Sequence, residues 1–114
     1  HTNFQEVVLR DGSDPTLHTC KIHDGKVGGV LLLEHAAGTF ENCDIYNNGF
    51  SGMWFRTGSN PTIRNTKINR NDGVAIITEQ NSAGSVLNCD LTGNSRGSWS
   101  GVAGSQLSRS GNIE

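Results

Sequence analysis

The sequence predicts an all-β fold in which short parallel strands stack coil upon coil into a single solenoid. Two observations lead to this prediction. Only 33% of the 114 residues are hydrophobic, while 15 are glycine and 12 are asparagine, a composition that favours turns and excludes a helical bundle. Four segments of similar sequence also start at Pro15, Gly38, Pro61 and Gly84, each 23 residues after the one before. A repeat of this length is typical of a solenoid.

Each repeat is expected to form one coil of a parallel β-helix. Twenty-three residues are too few for two helices and a turn, and the units contain short β-like pieces separated by Gly and Asn. The chain length allows about five coils of about 23 residues. Two apolar columns of the repeat are expected to line the core. They are Leu17, Phe40, Ile63 and Val86, and Ile22, Ile45, Ile68 and Leu91.

A further strand is predicted in each of the first four coils. These strands are Val7–Leu9, Val30–Leu32, Met53–Phe55 and 74–76. Period-two alternation places the first and third residues of each strand in the core and the middle residue outside. The fourth strand then begins two residues early, so the turn before Gly73 is expected to be shorter and the stretch 79–84 longer than in the other coils.

The turns between strands contain two columns rich in asparagine. The first consists of Thr19, Asn42, Asn65 and Asn88, and the second of Gly25, Asn48, Asn71 and Asn94. Asparagine tolerates left-handed backbone angles, and its amide can bond the next asparagine of a stack. We expect the first column to form an asparagine ladder and the second to form ordinary turns.

Two more columns carry cysteines and alternating charges. Cys20, Cys43 and Cys89 share a column with Thr66, and we expect them to fill space at a strand corner, with a Cys20–Cys43 disulfide or a metal site as the alternatives. Unpaired thiols suit a reducing compartment, and no signal segment is visible, so a cytoplasmic location is expected. The outward column Lys21, Asp44, Lys67 and Asp90 is expected to specify the register of the coils.

These repeats resemble the right-handed parallel β-helix repeats of the pectate-lyase-like superfamily. The phrases that carry the resemblance are GSDPTLHTCKIHDGKVGGV, GSNPTIRNTKINRNDGVAI and LTGNSRGSW, and it covers roughly residues 6–100. The closer likeness is to the short coils found in the substrate regions of F-box proteins and in bacterial proteins that carry an AAA-type ATPase. The resemblance implies a right-handed helix and a recognition or scaffold role without catalysis, in the C-terminal part of a larger protein.

The outer face of the Met53–Phe55 strand and its neighbours is predicted to be an interaction surface. Its outward columns read Val8, Leu31, Trp54 and Ala75, and Arg10, Leu33, Arg56 and Ile77. Apolar patches with Trp and Arg are typical of interfaces. The predicted binding residues are Trp54, Arg56, Leu31, Leu33, Arg10 and Glu34. The partner is expected to be a protein or another domain of the same chain, with an oligosaccharide stacked on Trp54 as the alternative.

Other functional classes are less well supported. A net charge of −2 argues against nucleic acid, and the longest apolar run, 30–33, is too short to span a membrane. A polysaccharide lyase or hydrolase is the enzymatic alternative. However, Asp44 and Asp90 would lie about 10 Å apart with Lys67 between them, wider than glycosidase carboxyl pairs. We expect no catalytic residue, no metal and no cofactor.

Two acids, Asp11 and Glu34, come closest to a neighbouring pair. Their column is expected to continue through Thr57 and Thr78, neither of which carries a carboxylate. The column therefore offers one pair of acids at most.

The two ends of the chain are expected to differ. Residues 1–97 form the coils, and residues 98–114 form an irregular last coil or cap containing Trp99, Val102 and Leu107. The residues His1 to Gln5 begin within a coil, which would leave an open strand edge. End-to-end self-association through the N-terminal coil is therefore expected.

Overall fold

The computed structural model describes residues 2–56, 58–79, 81–101 and 106–114. Within these residues, 14 short strands form three parallel sheets, and the predicted parallel β-helix is confirmed. Sheet A contains β1 (Thr2–Phe4), β4 (Cys20–His23), β7 (Asp44–Tyr46) and β10 (Lys67–Asn69). Sheet B contains β2 (Val7–Leu9), β5 (Val30–Leu32), β8 (Met53–Phe55), β11 (Ile76–Thr78) and β13 (Trp99–Ser100). Sheet C contains β3 (Thr16–His18), β6 (Thr39–Glu41), β9 (Thr62–Arg64), β12 (Ala83–Leu87) and β14 (Gln106–Ser110).

The 23-residue period of sheet B is unbroken from the first coil to the last. Val7 pairs with Val30, Val30 with Met53, Met53 with Ile76, and Ile76 with Trp99. The strand predicted at 74–76 is therefore placed two residues too early, since the strand is Ile76–Thr78. The predicted shortening of one turn and lengthening of the next is also wrong. The carbonyl groups of residues 74 and 75 accept the amide hydrogens of residues 52 and 53, which keeps this turn as long as the turns below it.

This register changes which side chains reach the surface. Ala75, expected outside, is fully buried, and its place beside Trp54 is taken by Ile77. Thr78 pairs with Phe55 and is only 3% exposed, so it does not continue the column of Asp11 and Glu34. Thr57, the other residue expected in that column, lies outside the described residues.

The core consists of inward columns contributed by all three sheets. Phe40, Ile63 and Val86 of sheet C are fully buried, and Leu17 packs against them from the first coil. The sheet A column Ile22, Ile45, Ile68 and Leu91 is at most 1% exposed. Both predicted apolar columns are confirmed. No helix among the described residues is long and apolar enough to cross a membrane.

The asparagine ladder lies in the turn after sheet A, not in the column where it was predicted. The side-chain amide of Asn48 donates to Asn71 Oδ1 at 2.9 Å, and that of Asn71 donates to Asn94 Oδ1 at 2.8 Å. Asn48 and Asn71 are each 1% exposed. Glycine makes room for them, because a Cβ at Gly29 would lie 2.8 Å from Asn48 Nδ2 and 2.7 Å from the Gly52 carbonyl oxygen.

The other turn column has the predicted backbone but a different environment. Thr19, Asn42, Asn65 and Asn88 all adopt left-handed angles, with φ between 50° and 56°. Their side chains are exposed. An exposed amide can bond water instead of its neighbour, so this column supplies the tight corner between sheets C and A without forming the ladder.

The described part of residues 98–114 follows the coils below it. β13 pairs with β11, β14 pairs with β12, and Ile113 bridges to Asp90. Trp99 and Leu107 pack against the core, and the Arg109 guanidinium lies 5.0 Å from the centre of the Trp99 ring. These strands are regular where an irregular coil was expected, because they complete the hydrogen bonds of sheets B and C. Val102 lies outside the described residues, and the boundary at residue 97 and the capping role stay predictions.

The three cysteines are buried free thiols. Cys43 Sγ donates to the carbonyl oxygens of Leu17 and Glu41, each at 3.5 Å. Two coils further on, Cys89 Sγ makes the equivalent bonds to Ile63 and Leu87. Burial raises the pKa of the Cys43 and Cys89 thiols above the ordinary value. Buried protonated thiols bonded to backbone are typical of structural cysteines.

We expect all three thiols to resist a water-soluble aromatic disulfide reagent in the native protein. Cys20, Cys43 and Cys89 are 7%, 3% and 2% exposed, so the reaction requires local opening and should be on the order of 100-fold slower than in denaturant. Absorbance of the released thiolate measures the rate. Rapid reaction of one equivalent in the folded protein would contradict this interpretation.

Candidate functional site

The outer side of sheet B carries a row of apolar side chains, one for each of its first four coils. Val8, Leu31, Trp54 and Ile77 are in register across β2, β5, β8 and β11. Val8 is 42% exposed, and the other three are partly exposed. Because neighbouring strands lie about 4.8 Å apart, these side chains form a continuous apolar stripe.

Two more exposed apolar residues extend the stripe on the side of the preceding turn. Val27 is 47% exposed and Phe50 is 48% exposed, and the Phe50 ring lies 5.4 Å from the Trp54 ring at 57°. Leu33, two residues after Leu31, adds a partly exposed side chain on the opposite border. We name this patch the Trp54 face. It consists of Val8, Val27, Leu31, Leu33, Phe50, Trp54 and Ile77.

Polar contacts fix the orientation of Trp54. Its indole Nε1–H donates to Glu79 Oε2 at 3.0 Å, and the Arg56 guanidinium lies 4.9 Å from the centre of its ring. Arg56 Nε and Glu79 Oε2 are 3.3 Å apart. Together with Phe50, these groups hold the large side chain in one position at the surface, so little conformational entropy would be lost on binding.

The structure brings together most of the residues that were predicted to bind. Leu31, Leu33, Trp54 and Arg56 are neighbours on the outer side of β5 and β8. Arg10 is exposed one coil below Leu33, and Glu34 is exposed in the adjacent turn with a φ of 53°. Among the described residues, the side chains of Arg10 and Glu34 have no hydrogen-bond or ion-pair partner. Their binding role stays a prediction.

Three residues of this site were missed. Glu79 was missed because the misplaced strand at 74–76 put Ile77 beside Arg56, although Glu79 is the residue one period after Arg56. Val27 and Phe50 are one period apart but lie in the glycine-rich turn before the strand, outside any alternating segment. Comparison of all positions at a spacing of 23 would have found all three.

The outer side of sheet A carries the predicted column of alternating charges. Lys21 pairs with Asp44, and Lys67 pairs with Asp44 on one side and Asp90 on the other. Asp44 and Asp90 therefore stand two strands apart with a lysine between them. The hydroxyl and the amide of Thr92 bind Asp90 Oδ1 at 2.7 and 3.1 Å, and they lower the pKa of this carboxyl, with a smaller contribution from Lys67.

A shallow depression of about 270 Å³ lies over this column, lined by Asp44, Lys67, Asn69, Arg70, Thr92 and Gly93. The nearby Tyr46 ring is stacked on His23, with centres 5.0 Å apart, and the Arg70 guanidinium lies 5.3 Å from its centre. The aromatic ring of this face is thus engaged by side chains of other coils. Among the described residues there is no group of three His, Cys, Asp or Glu that could hold a metal ion.

Comparison with known families agrees with this architecture. The family model described as a right handed beta helix region matches residues 5–114. No solved structure matches the chain. The match extends over strands of all three sheets.

Proposed function

The chain belongs to the right-handed β-helix family, and on this premise we propose that it is a recognition and scaffold module without catalysis that binds a protein partner through the Trp54 face. The observation that carries the proposal is the exposed Trp54 side chain, held by Phe50, Arg56 and Glu79. A fixed tryptophan beside an arginine, in an apolar patch with charged borders, is typical of the energetic centre of an interface.

The arrangement of the face supports a protein partner over a sugar. Seven apolar side chains form the Trp54 face, and the outer side of a solvated sheet would otherwise be polar. The Arg56 guanidinium covers part of the indole ring, which leaves less ring surface for a sugar to stack on. A domain of the same polypeptide and an oligosaccharide are the alternative occupants, and the test below separates them.

The proposal is tested with random peptides displayed on phage and selected on the 114-residue chain. We expect the selected peptides to be rich in apolar and aromatic residues and to shift the amide NMR signals of Val8, Leu31, Trp54 and Ile77. A parallel titration uses neutral and acidic oligosaccharides, with and without calcium. Saturable shifts at Trp54 with oligosaccharides alone would replace the proposal by carbohydrate binding.

Replacement of Trp54 by alanine should weaken binding of a selected peptide by about 30-fold or more, since a central tryptophan commonly contributes ~2 kcal/mol or more. The urea midpoint should change little, because the side chain is partly exposed. Tyr46→Ala is the matched control, because it removes an aromatic side chain from sheet A and should leave the affinity unchanged. Equal binding by wild type and Trp54→Ala would contradict the proposal. Binding of the face by another domain in cis would appear as loss of peptide binding in longer versions of the polypeptide.

A further inference from the structure

We propose that the partner of the Trp54 face is a second copy of this chain, packed face to face with the two solenoid axes antiparallel. This inference rests on the proposed function and names its partner. The twofold axis would run parallel to the strands, between β5 and β8. In this arrangement β2 of one copy faces β11 of the other, and β5 faces β8.

The regular spacing of the coils favours another solenoid as the partner. The apolar stripe repeats at about 4.8 Å, the distance between neighbouring strands. The outer face of a second copy repeats at the same distance, so its side chains stay in phase over all four coils. Sheets that pack face to face lie about 10 Å apart, which leaves room for one layer of interdigitated side chains from each copy.

When the second copy is reversed, the side chains of the two apolar stripes match in size. With the axes antiparallel, the smaller Val8 faces Ile77 of the second copy, and Leu31 faces Trp54 of the second copy. On the turn side, Val27 faces Phe50 of the second copy. Each contact places an aliphatic side chain against a larger apolar one, which is how packed layers fill space.

The two ends of the border are complementary in charge in the same register. The border column reads Arg10, Leu33, Arg56 and Glu79 from the first coil to the fourth. Reversal places Arg10 opposite Glu79 and Leu33 opposite Arg56 of the second copy, and Arg56 keeps its partners Glu79 and Trp54 within its own copy. Glu79 binds Trp54 and Arg56 through Oε2 alone, and within the described residues its Oε1 has no partner. Arg10 likewise has no partner there. Two equivalent Arg10–Glu79 pairs would form, one on each side of the twofold axis.

The opposite orientation of the second copy does not give this match. With the two solenoid axes parallel, each coil faces the same coil, so Arg10 in the first coil cannot meet Glu79 in the fourth. This rotation reverses the strands of the second copy, so the border of one copy faces the turn side of the other and Arg56 lies opposite Phe50. Arg10 and Glu79 then stay unpaired. Unpaired charges at a contact cost free energy, so the antiparallel arrangement is favoured.

The area of the Trp54 face limits the expected affinity of the dimer. The described chain measures 27 × 26 × 25 Å, so one side can bury roughly 500 Å² per copy, less than the ~800 Å² of a standard interface. We therefore expect a reversible dimer that dissociates at micromolar concentrations. The contact differs from the end-to-end association expected from the N-terminal coil, which would leave the Trp54 face exposed.

The test is analytical ultracentrifugation of wild type, Arg10→Glu, Glu79→Arg and an equimolar mixture of the two variants. Each variant alone places like charges at both border contacts and should raise the dimer dissociation constant by about 100-fold or more. The mixture restores opposite charges at both contacts, so it should dimerise within about tenfold of wild type. Lys21→Glu is the control for Arg10→Glu. It changes the net charge by the same amount but lies on sheet A, away from the Trp54 face, and should dimerise like wild type.

A cross-linking experiment gives an independent readout if Glu79→Arg does not fold. Val8→Cys mixed with Ile77→Cys should form a cross-linked heterodimer under mild oxidation. Val8→Cys alone should not, because its two copies would lie about 14 Å apart, three strand spacings. A wild-type chain that is monomeric at its highest soluble concentration would overturn the dimer. So would a mixture of the charge variants that dimerises no better than either variant alone, if Val8→Cys and Ile77→Cys also fail to cross-link. The peptide experiment then decides separately whether the Trp54 face binds another protein.

Discussion

Alanine in place of Asn71 is expected to lower the free energy of unfolding by about 3 kcal/mol. Asn71 Oδ1 accepts hydrogen bonds from the backbone and side-chain amides of Asn48 at 3.0 and 2.9 Å. Its Nδ2 donates to Asn94 Oδ1 and, at 3.3 Å, to the Ile45 carbonyl oxygen. Asn71 is 1% exposed, so water cannot replace these bonds. The substitution leaves the buried backbone amide of Asn48 without its partner and leaves Asn48 Nδ2 with only the Ile22 carbonyl oxygen, at 3.4 Å.

Urea unfolding monitored by circular dichroism measures this change, and Asn69→Ala is its matched control. Asn69 lies on the outer side of the same coil, so its loss should cost less than about 0.5 kcal/mol. Hydrogen exchange of the Asn48 amide adds a local readout, since that hydrogen should exchange much faster in Asn71→Ala while the amides of sheet C change less. Equal destabilisation by the two substitutions would mean that the buried ladder does not hold the coils together.

The position of this ladder shows where sequence reasoning stops. Both asparagine columns have the same 23-residue period and the same residue type, and both occur in turns. What separates them is whether the turn directs the side chain inward, and that depends on space. Gly52 provides it, because a Cβ there would lie 3.1 Å from Asn71 Nδ2 and 2.7 Å from the Ala75 carbonyl oxygen. A single sequence shows the glycines but not which side chain they accommodate.

The fold class and the core columns could be predicted because they depend on pattern alone. Phe40 and Ile63 align at the period, are apolar, and are fully buried. The register at 74–78 could not be read from pattern, because Val74, Ala75, Ile76 and Ile77 form a continuous apolar run without alternation. Only the constant period places Ile76 beside Met53. The candidate site inherited this error, since Glu79 reaches Trp54 only in the correct register.

Alanine in place of Phe40 is expected to cost about 3–5 kcal/mol of unfolding free energy, the largest effect of any substitution considered for this chain. Phe40 is fully buried in β6 of sheet C, which pairs with the Leu17 strand below and the Ile63 strand above. Its removal leaves a cavity that both neighbouring coils line. Because each coil of a solenoid is stabilised by packing against its two neighbours, one cavity weakens the packing on both sides of the second coil. A domain of ordinary stability, about 5–15 kcal/mol, would lose a large part of it.

Phe50→Ala is the matched control, because it makes the same substitution on the Trp54 face. Phe50 is 48% exposed, so its loss should change the urea midpoint little, while the affinity for a selected peptide falls because Trp54 loses a contact. Phe40→Ala should do the reverse, with a lowered midpoint and unchanged affinity under conditions where it is folded. This opposite response separates the residues that build the β-helix from those that bind with it. Strong destabilisation by Phe50→Ala would mean that Phe50 supports the fold, and the Trp54 face would then be smaller than proposed.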